Sequence, residues 1–164
     1  MSVVINGTGS ISGLSNVGGI SSPQSGTVLQ VVNATYSSLA SNSTNVYADT
    51  GLTATITPLY STSKILIEVF QTGLQKSSSA TNTNMGLKLL RNGSQIVYIE
   101  EESGYTGTTL QLAYGASGTT YLDSPATTSA VVYKTQFVSQ QNTATVYCQN
   151  SGCASTITLM EIAQ

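Results

Sequence analysis

Histidine and tryptophan are absent from this 164-residue chain, and charged side chains make up only 7% of it. Without histidine there are no His-based catalytic triads, few routes to a zinc site and no ordinary proton shuttle at neutral pH. Five basic and seven acidic residues give a formal net charge of -2. That leaves no electrostatic footprint for a phosphate backbone or an anionic lipid surface, so nucleic acid and membrane are set aside as partners. Apolar runs last only a few residues, too short to span a bilayer, and no basic segment followed by an apolar core opens the chain. If the protein acts outside a cell, the expected route is release by lysis.

What replaces charge is 24 Ser and 24 Thr, with many Asn and Gln. The expected surface is therefore polar and neutral. A chain of this size fits one domain and buries roughly 70% of its unfolded surface. From Thr27 onward short β-type runs alternate with turn chemistry. Strands are expected at 28–36, 45–47, 52–57, 64–70, 85–90, 96–99, 108–114, 119–123, 130–138, 143–149 and 156–162. Between 85–90 and 96–99 lies Arg91-Asn92-Gly93-Ser94, and Asn-Gly between two apolar runs is the strongest short-range hairpin signal. About ten short strands with no internal repeat predict an all-β, antiparallel sandwich or barrel.

Residues 1–26 read differently, with a glycine every few positions. Ile11, Leu14, Val17 and Ile20 recur at every third residue, the period of an extended polyproline-like chain. A single apolar stripe on such a chain is useful where three copies meet on an axis, or where the arm lies in a groove of another protein. The boundary between arm and head is placed at Gly26.

Three strands carry apolar residues on both faces. In 64–70, Ile65, Ile67 and Val69 oppose Leu66 and Phe70; in 156–162, Ile157 and Leu159 oppose Met160 and Ile162. In 130–138, after a turn at Ser124-Pro125, Val131, Tyr133 and Phe137 oppose Val132 and Val138. A sandwich buries only the inner face of each sheet. A subunit interface is expected to cover the rest, at Val132, Val138, Met160 and Ile162, and the arm's period favours three-fold symmetry.

The phrases GTVLQVVNATY, DTGLTATITP, SKILIEV, LLRNGSQI, YLDSPATTSAVVYKTQF and STITLMEI together resemble the small trimeric jelly-roll modules of tailed-bacteriophage appendage proteins. INGTGSISG in the arm is similar to the opening of many phage tail-fibre and virion structural proteins. The resemblance implies a C1q/TNF-like jelly-roll head, a homotrimer, and an arm anchored through Ile11, Leu14, Val17 and Ile20 to other virion proteins. It further implies a place on the outer surface of a virion assembled in the host cytoplasm, as a short tail fibre or fibre tip. A capsid decoration, cement or head-fibre protein is the alternative.

Tyr60, Tyr105, Tyr114 and Tyr121 fall at or near loops, where an aromatic face with a hydroxyl handle suits a host glycan or protein receptor. The loops 75–84 and 101–107 are the expected recognition surface. Cys148 and Cys153 flank a tight Gln-Asn-Ser-Gly turn, so a disulfide and two free thiols both stay open. Glu100, Glu101 and Glu102 alternate faces along a strand, so at most two converge; a solvated edge is the commoner case. No enzyme, cofactor or metal is expected.

Overall fold

The computed structural model describes residues 23–77, 83–104, 113–141 and 144–164, with the backbone alone at 4–5, 11–12 and 113–114. Its strands are β1 (Val4–Ile5), β2 (Ile11–Ser12), β3 (Val28–Tyr36), β4 (Ala40–Asn42), β5 (Ala48–Ile56), β6 (Lys64–Lys76), β7 (Met85–Arg91), β8 (Ser94–Ser103), β9 (Ala113–Asp123), β10 (Val131–Ser139), β11 (Val146–Cys148) and β12 (Ser155–Ile162). A four-stranded sheet runs β5-β10-β7-β8, and a larger one runs β3-β12-β6-β11-β4 with β9 also paired to β6. All pairings are antiparallel. The long strands cross between the sheets at each step except the β7–β8 hairpin, which is the wrapped Greek-key path of a jelly-roll sandwich.

Alternation decides which side chains meet between the sheets. Leu52, Ala54 and Ile56 from β5, Ile65, Ile67 and Val69 from β6, and Ile157 and Leu159 from β12 are buried there, while the intervening threonines of β5 face out. Asn92 and Gly93 both have positive φ and Arg91 pairs with Ser94. This is the two-residue turn that Asn-Gly favours, because its twist matches that of the flanking strands.

Several expected boundaries shift. The stretch 45–47 is not a strand; β4 lies just before it. The segments 108–114 and 119–123 belong in part to one strand, β9, which passes through Gly115 and Gly118. β6 continues six residues beyond Phe70, around a register shift at Gly73 (φ +60). In the arm, β1 pairs with β2 through Val4–Ser12 and Ile5–Ile11; the rest of the arm up to residue 22 lies outside the described residues.

The interior holds two apolar clusters. One is built on Ile56, Ile65, Ile67, Val131, Tyr133 and Leu159, and the other on Leu74, Met85, Leu87, Phe137 and Val146. Between them lies a buried polar layer. Thr50 Oγ1 and Thr135 Oγ1 are 2.5 Å apart, Thr135 Oγ1 donates to Gln71 Oε1 (3.0 Å), and Gln71 Nε2 donates to Ser155 Oγ (2.9 Å). Gln149 closes the layer with its amide oxygen toward Ser155 and its nitrogen toward the carbonyls of Thr50 and Cys148, the orientation that satisfies every donor. The layer ties β5 and β10 of one sheet to β6 and β12 of the other.

Candidate functional site

The head has two chemically different ends. β6 spans thirteen residues, about 40 Å at strand rise, and its termini mark them. At the Lys64 end, Gly26 N donates to Ala163 O (2.9 Å) and Ala163 N donates to Thr27 O (2.9 Å), so the arm leaves and the chain ends side by side. Glu161 organises this end. It is fully buried, and its carboxylate accepts from Gln30 Nε2 (2.6 Å), Leu59 N (2.8 Å) and Tyr60 N (3.2 Å). Burial alone would raise its pKa; these donors outweigh burial and hold it below the usual carboxylate value.

A second latch at this end joins the sheets. Asp123 of β9 accepts from Tyr133 Oη (2.6 Å) and from Arg91 Nη1 (2.8 and 3.0 Å). Burial, then the Asp123 hydrogen bond and charge, push the Tyr133 hydroxyl upward in pKa, so it stays a proton donor.

At the Lys76 end the flanks of three connections converge. Lys76 is fully buried, and Nζ donates to Thr83 O (3.1 Å) and Gly104 O (3.2 Å). Burial lowers its pKa. Ser77 N donates to Thr145 O (2.8 Å) and Gln140 N to Asn84 O (3.1 Å). The described residues that flank 78–82, 105–112 and 142–143 therefore gather at the end opposite Gly26.

The expected receptor tyrosines are not brought together. Tyr60 is 46% exposed but lies at the arm end. Tyr121 pairs with Ile67 and turns inward onto the core, because it has the parity of the inner face. Tyr105 and the Tyr114 side chain lie outside the described residues, as do Leu14, Val17, Ile20 and the Ile11 side chain. The structure instead groups tyrosines on the outer face of the four-stranded sheet. Lys88 Nζ sits 3.8 Å from the ring centre of Tyr47, and Tyr98 is 48% exposed. Burial, with Glu101 and Tyr98 nearby, pushes Tyr47 up to about 12. Gly86 admits this packing, since a Cβ there would run into Tyr47 Oη and Val138.

The four expected interface residues separate in the same way. Val132 is exposed on the outer face of the four-stranded sheet, whereas Val138, on that face too, is buried beside Gly86. Val138 is thus already covered within one copy. Met160 and Ile162 are half-buried on the outer face of the larger sheet, across the sandwich. Cross-strand register extends that face into an apolar row, Val31–Met160–Leu66–Leu122. The next rows toward the Lys76 end hold Asn33, Thr158, Glu68 and Thr120, then Thr35, Thr156, Phe70 and Gly118. An open trough of about 410 Å³ is lined there by Glu68, Phe70, Gly118, Thr120, Thr156 and Thr158. Edge-strand residues such as Val31 and Leu122 could not be matched to this face from sequence, because strand order is long-range information.

Cys148 is buried and Cys153 exposed, and both are free thiols. Cys148 points inward from β11, and the 3-10 turn at Asn150–Gly152, entered through left-handed Gln149, carries Cys153 to the surface. Glu100 Oε2 accepts from Ser117 Oγ (3.1 Å), which bridges β8 to β9. Among the described residues no three Cys, Asp or Glu gather as metal ligands, and no helix is long and apolar enough to cross a membrane.

No protein-family model and no curated protein matches the chain. Among solved structures, the infectious bursal disease virus VP2 subviral particle is similar at 14% identity and a TM-score of 0.47, over 82% of this chain and 32% of VP2. Dimeric latent PorU from Porphyromonas gingivalis is similar at 11% identity and a TM-score of 0.35, over 87% of this chain and 14% of PorU. The chain thus spans about a third of the one and a seventh of the other.

Proposed function

We propose that the protein is a bacteriophage virion surface protein, a short tail fibre or fibre tip, that anchors by its N-terminal arm and binds the host through a homotrimeric head. The observation that carries this reading is the opposition of the two ends. The arm leaves beside Ala163, while the flanks of 78–82 and 105–112 converge at the far end of β6. On an anchored head of this build, the end that carries those flanks faces outward. Recognition is binding without chemistry: three weak sites on one rigid head gain apparent affinity through multivalency.

The test is particle imaging with an epitope inserted in residues 78–82, combined with adsorption competition by purified protein. A label at Gln164 would report the anchored end instead. The expected result is a label at the outer tip of a tail appendage, and competition that slows adsorption. A label spread over the capsid, with normal adsorption of particles lacking the protein, overturns the fibre reading in favour of a decoration protein.

A further inference from the structure

Glu68 is an acidic side chain that the fold does not use. Asp49 pairs with Lys134 and Asp123 with Arg91, while Glu161 is held by three donors and Glu100 by Ser117. Glu68 is exposed, with no hydrogen-bond or ion-pair partner among the described residues. It lines the open trough of about 410 Å³ on the outer face of the larger sheet, a volume within the roughly 300–1,000 Å³ of small-molecule sites.

Strand register builds the trough around that carboxylate. Thr158 and Thr120 flank Glu68 on the neighbouring strands, and one row further on Thr156 and Gly118 flank Phe70. Phe70 is 55% exposed, and Gly118 leaves the sheet open beside its ring: a Cβ there would lie 3.4 Å from Phe70 Cδ2 and 2.5 Å from Val69 O. Asn33 Nδ2 donates to Thr158 Oγ1 (2.9 Å), which leaves that hydroxyl its own hydrogen to give. One trough thus offers an apolar ring, a carboxylate that accepts and three threonine hydroxyls that donate.

We propose that this trough binds a neutral saccharide, as one or two pyranose units of a longer chain. A pyranose has an apolar C–H face and a rim of hydroxyls that both donate and accept, which the ring, the carboxylate and the threonines match together. Other ligand classes match only part of the set. An apolar side chain would cover Glu68 and the hydroxyls without giving them partners, at a cost in desolvation. A uronate, a sialate or a phosphate would bring its own negative charge against Glu68. A metal ion would find one carboxylate, since among the described residues no three ligating side chains gather. The trough lies beyond the row Val31–Met160–Leu66–Leu122 toward the Lys76 end, the end that faces outward on an anchored head. The inference deepens the host-binding reading and rests on it for the source of the sugar, a host-surface polysaccharide.

The experiment titrates the full-length protein, labelled at its threonine methyls for NMR, with neutral tetrasaccharides of glucose, mannose, galactose and N-acetylglucosamine, and with tetragalacturonate as the anionic probe. At least one neutral probe should shift the Thr120, Thr156 and Thr158 methyls saturably, and the uronate should bind about tenfold more weakly at low salt, as a like-charge contact at a surface dictates. Phe70→Ala and, separately, Thr120→Val should weaken the response with the circular dichroism of the fold retained, and Val132→Arg, on the opposite sheet, should not. Glu68→Gln keeps a hydrogen-bonding group without the charge, so it should weaken the neutral probe about fivefold and close most of the gap to the uronate. Absence of any shift at these methyls with every neutral probe at millimolar concentration overturns the site. A uronate that binds as tightly as the neutral probes overturns the ligand class. Adsorption separates this inference from the reading it rests on. Purified protein that competes for the host while no neutral probe moves the methyls overturns the trough and leaves host binding standing. Probes that bind a protein whose label lies on the capsid, with normal adsorption of particles lacking it, uphold the trough and overturn host binding.

Discussion

At the scale of single residues, the head depends on a few buried polar groups whose partners are all supplied by distant parts of the chain. Glu161 is the clearest, because its donors come from β3 and from the loop after β5. Its folded pKa lies below the ordinary glutamate value, so its contribution is fully present above about pH 4.3 and is lost as pH falls through the depressed folded value. Thermal unfolding followed from pH 7 to 3 should show this loss. Glu161→Gln turns an amide NH2 toward groups that are themselves donors, and should cost about 2 kcal/mol at pH 7 while flattening the acid limb. Tyr133→Phe removes a buried hydrogen bond to Asp123 but leaves Arg91 in place, so about 1–2 kcal/mol is expected from denaturant unfolding. The cysteines make a third case. Cys153 should react with a thiol reagent in the native protein, whereas Cys148, buried and raised in pKa by burial, should react only on unfolding.

At the scale of elements, the sandwich is held in register by features that interrupt its alternation. Gly51 (φ +91) lies where β5 shifts register against β10, and a Cβ there would enter the ring of Tyr36. Gly51→Ala should therefore cost about 3 kcal/mol, from left-handed strain and overpacking together, read as a lowered denaturation midpoint with unchanged slope. The core alternation of β5, β6 and β12 was legible in the sequence, because period-two patterning is local, and so was the Asn92-Gly93 turn. The polar layer was not. Gln71, Thr135 and Ser155 look like surface residues until two sheets place them opposite one another. The continuity of β9 was hidden for a related reason: Gly115 and Gly118 read as a break, and only pairing with β6 shows the strand passing through. At the candidate site, the two-sided apolar pattern of β6 and β12 was visible. Its assignment to one face with Val31 and Leu122, and the burial of Val138 within one copy, needed the tertiary arrangement.

At the scale of the whole molecule, the shortage of charge makes a prediction that separates two kinds of assembly. An interface built on ion pairs loosens as salt rises, because screening acts over about 10 Å at 0.1 M and less above it. The outer face of the larger sheet carries Lys64 and Glu68 among apolar and threonine side chains, and the chain as a whole has only twelve charged residues, five basic and seven acidic. If the proposed homotrimer assembles on that face, its driving force is burial of Val31, Leu66, Leu122 and Met160, which weakens on cooling and strengthens with excluded solutes such as sulfate. Raising sodium chloride from 50 to 500 mM should therefore leave the sedimentation of the full-length protein unchanged or slightly favour the trimer. Ammonium sulfate should favour it further, and cooling to 4 °C should shift the balance toward monomer. Dissociation by sodium chloride alone would mean that charged groups hold the copies together, and the apolar face would then have to be covered by something other than this chain.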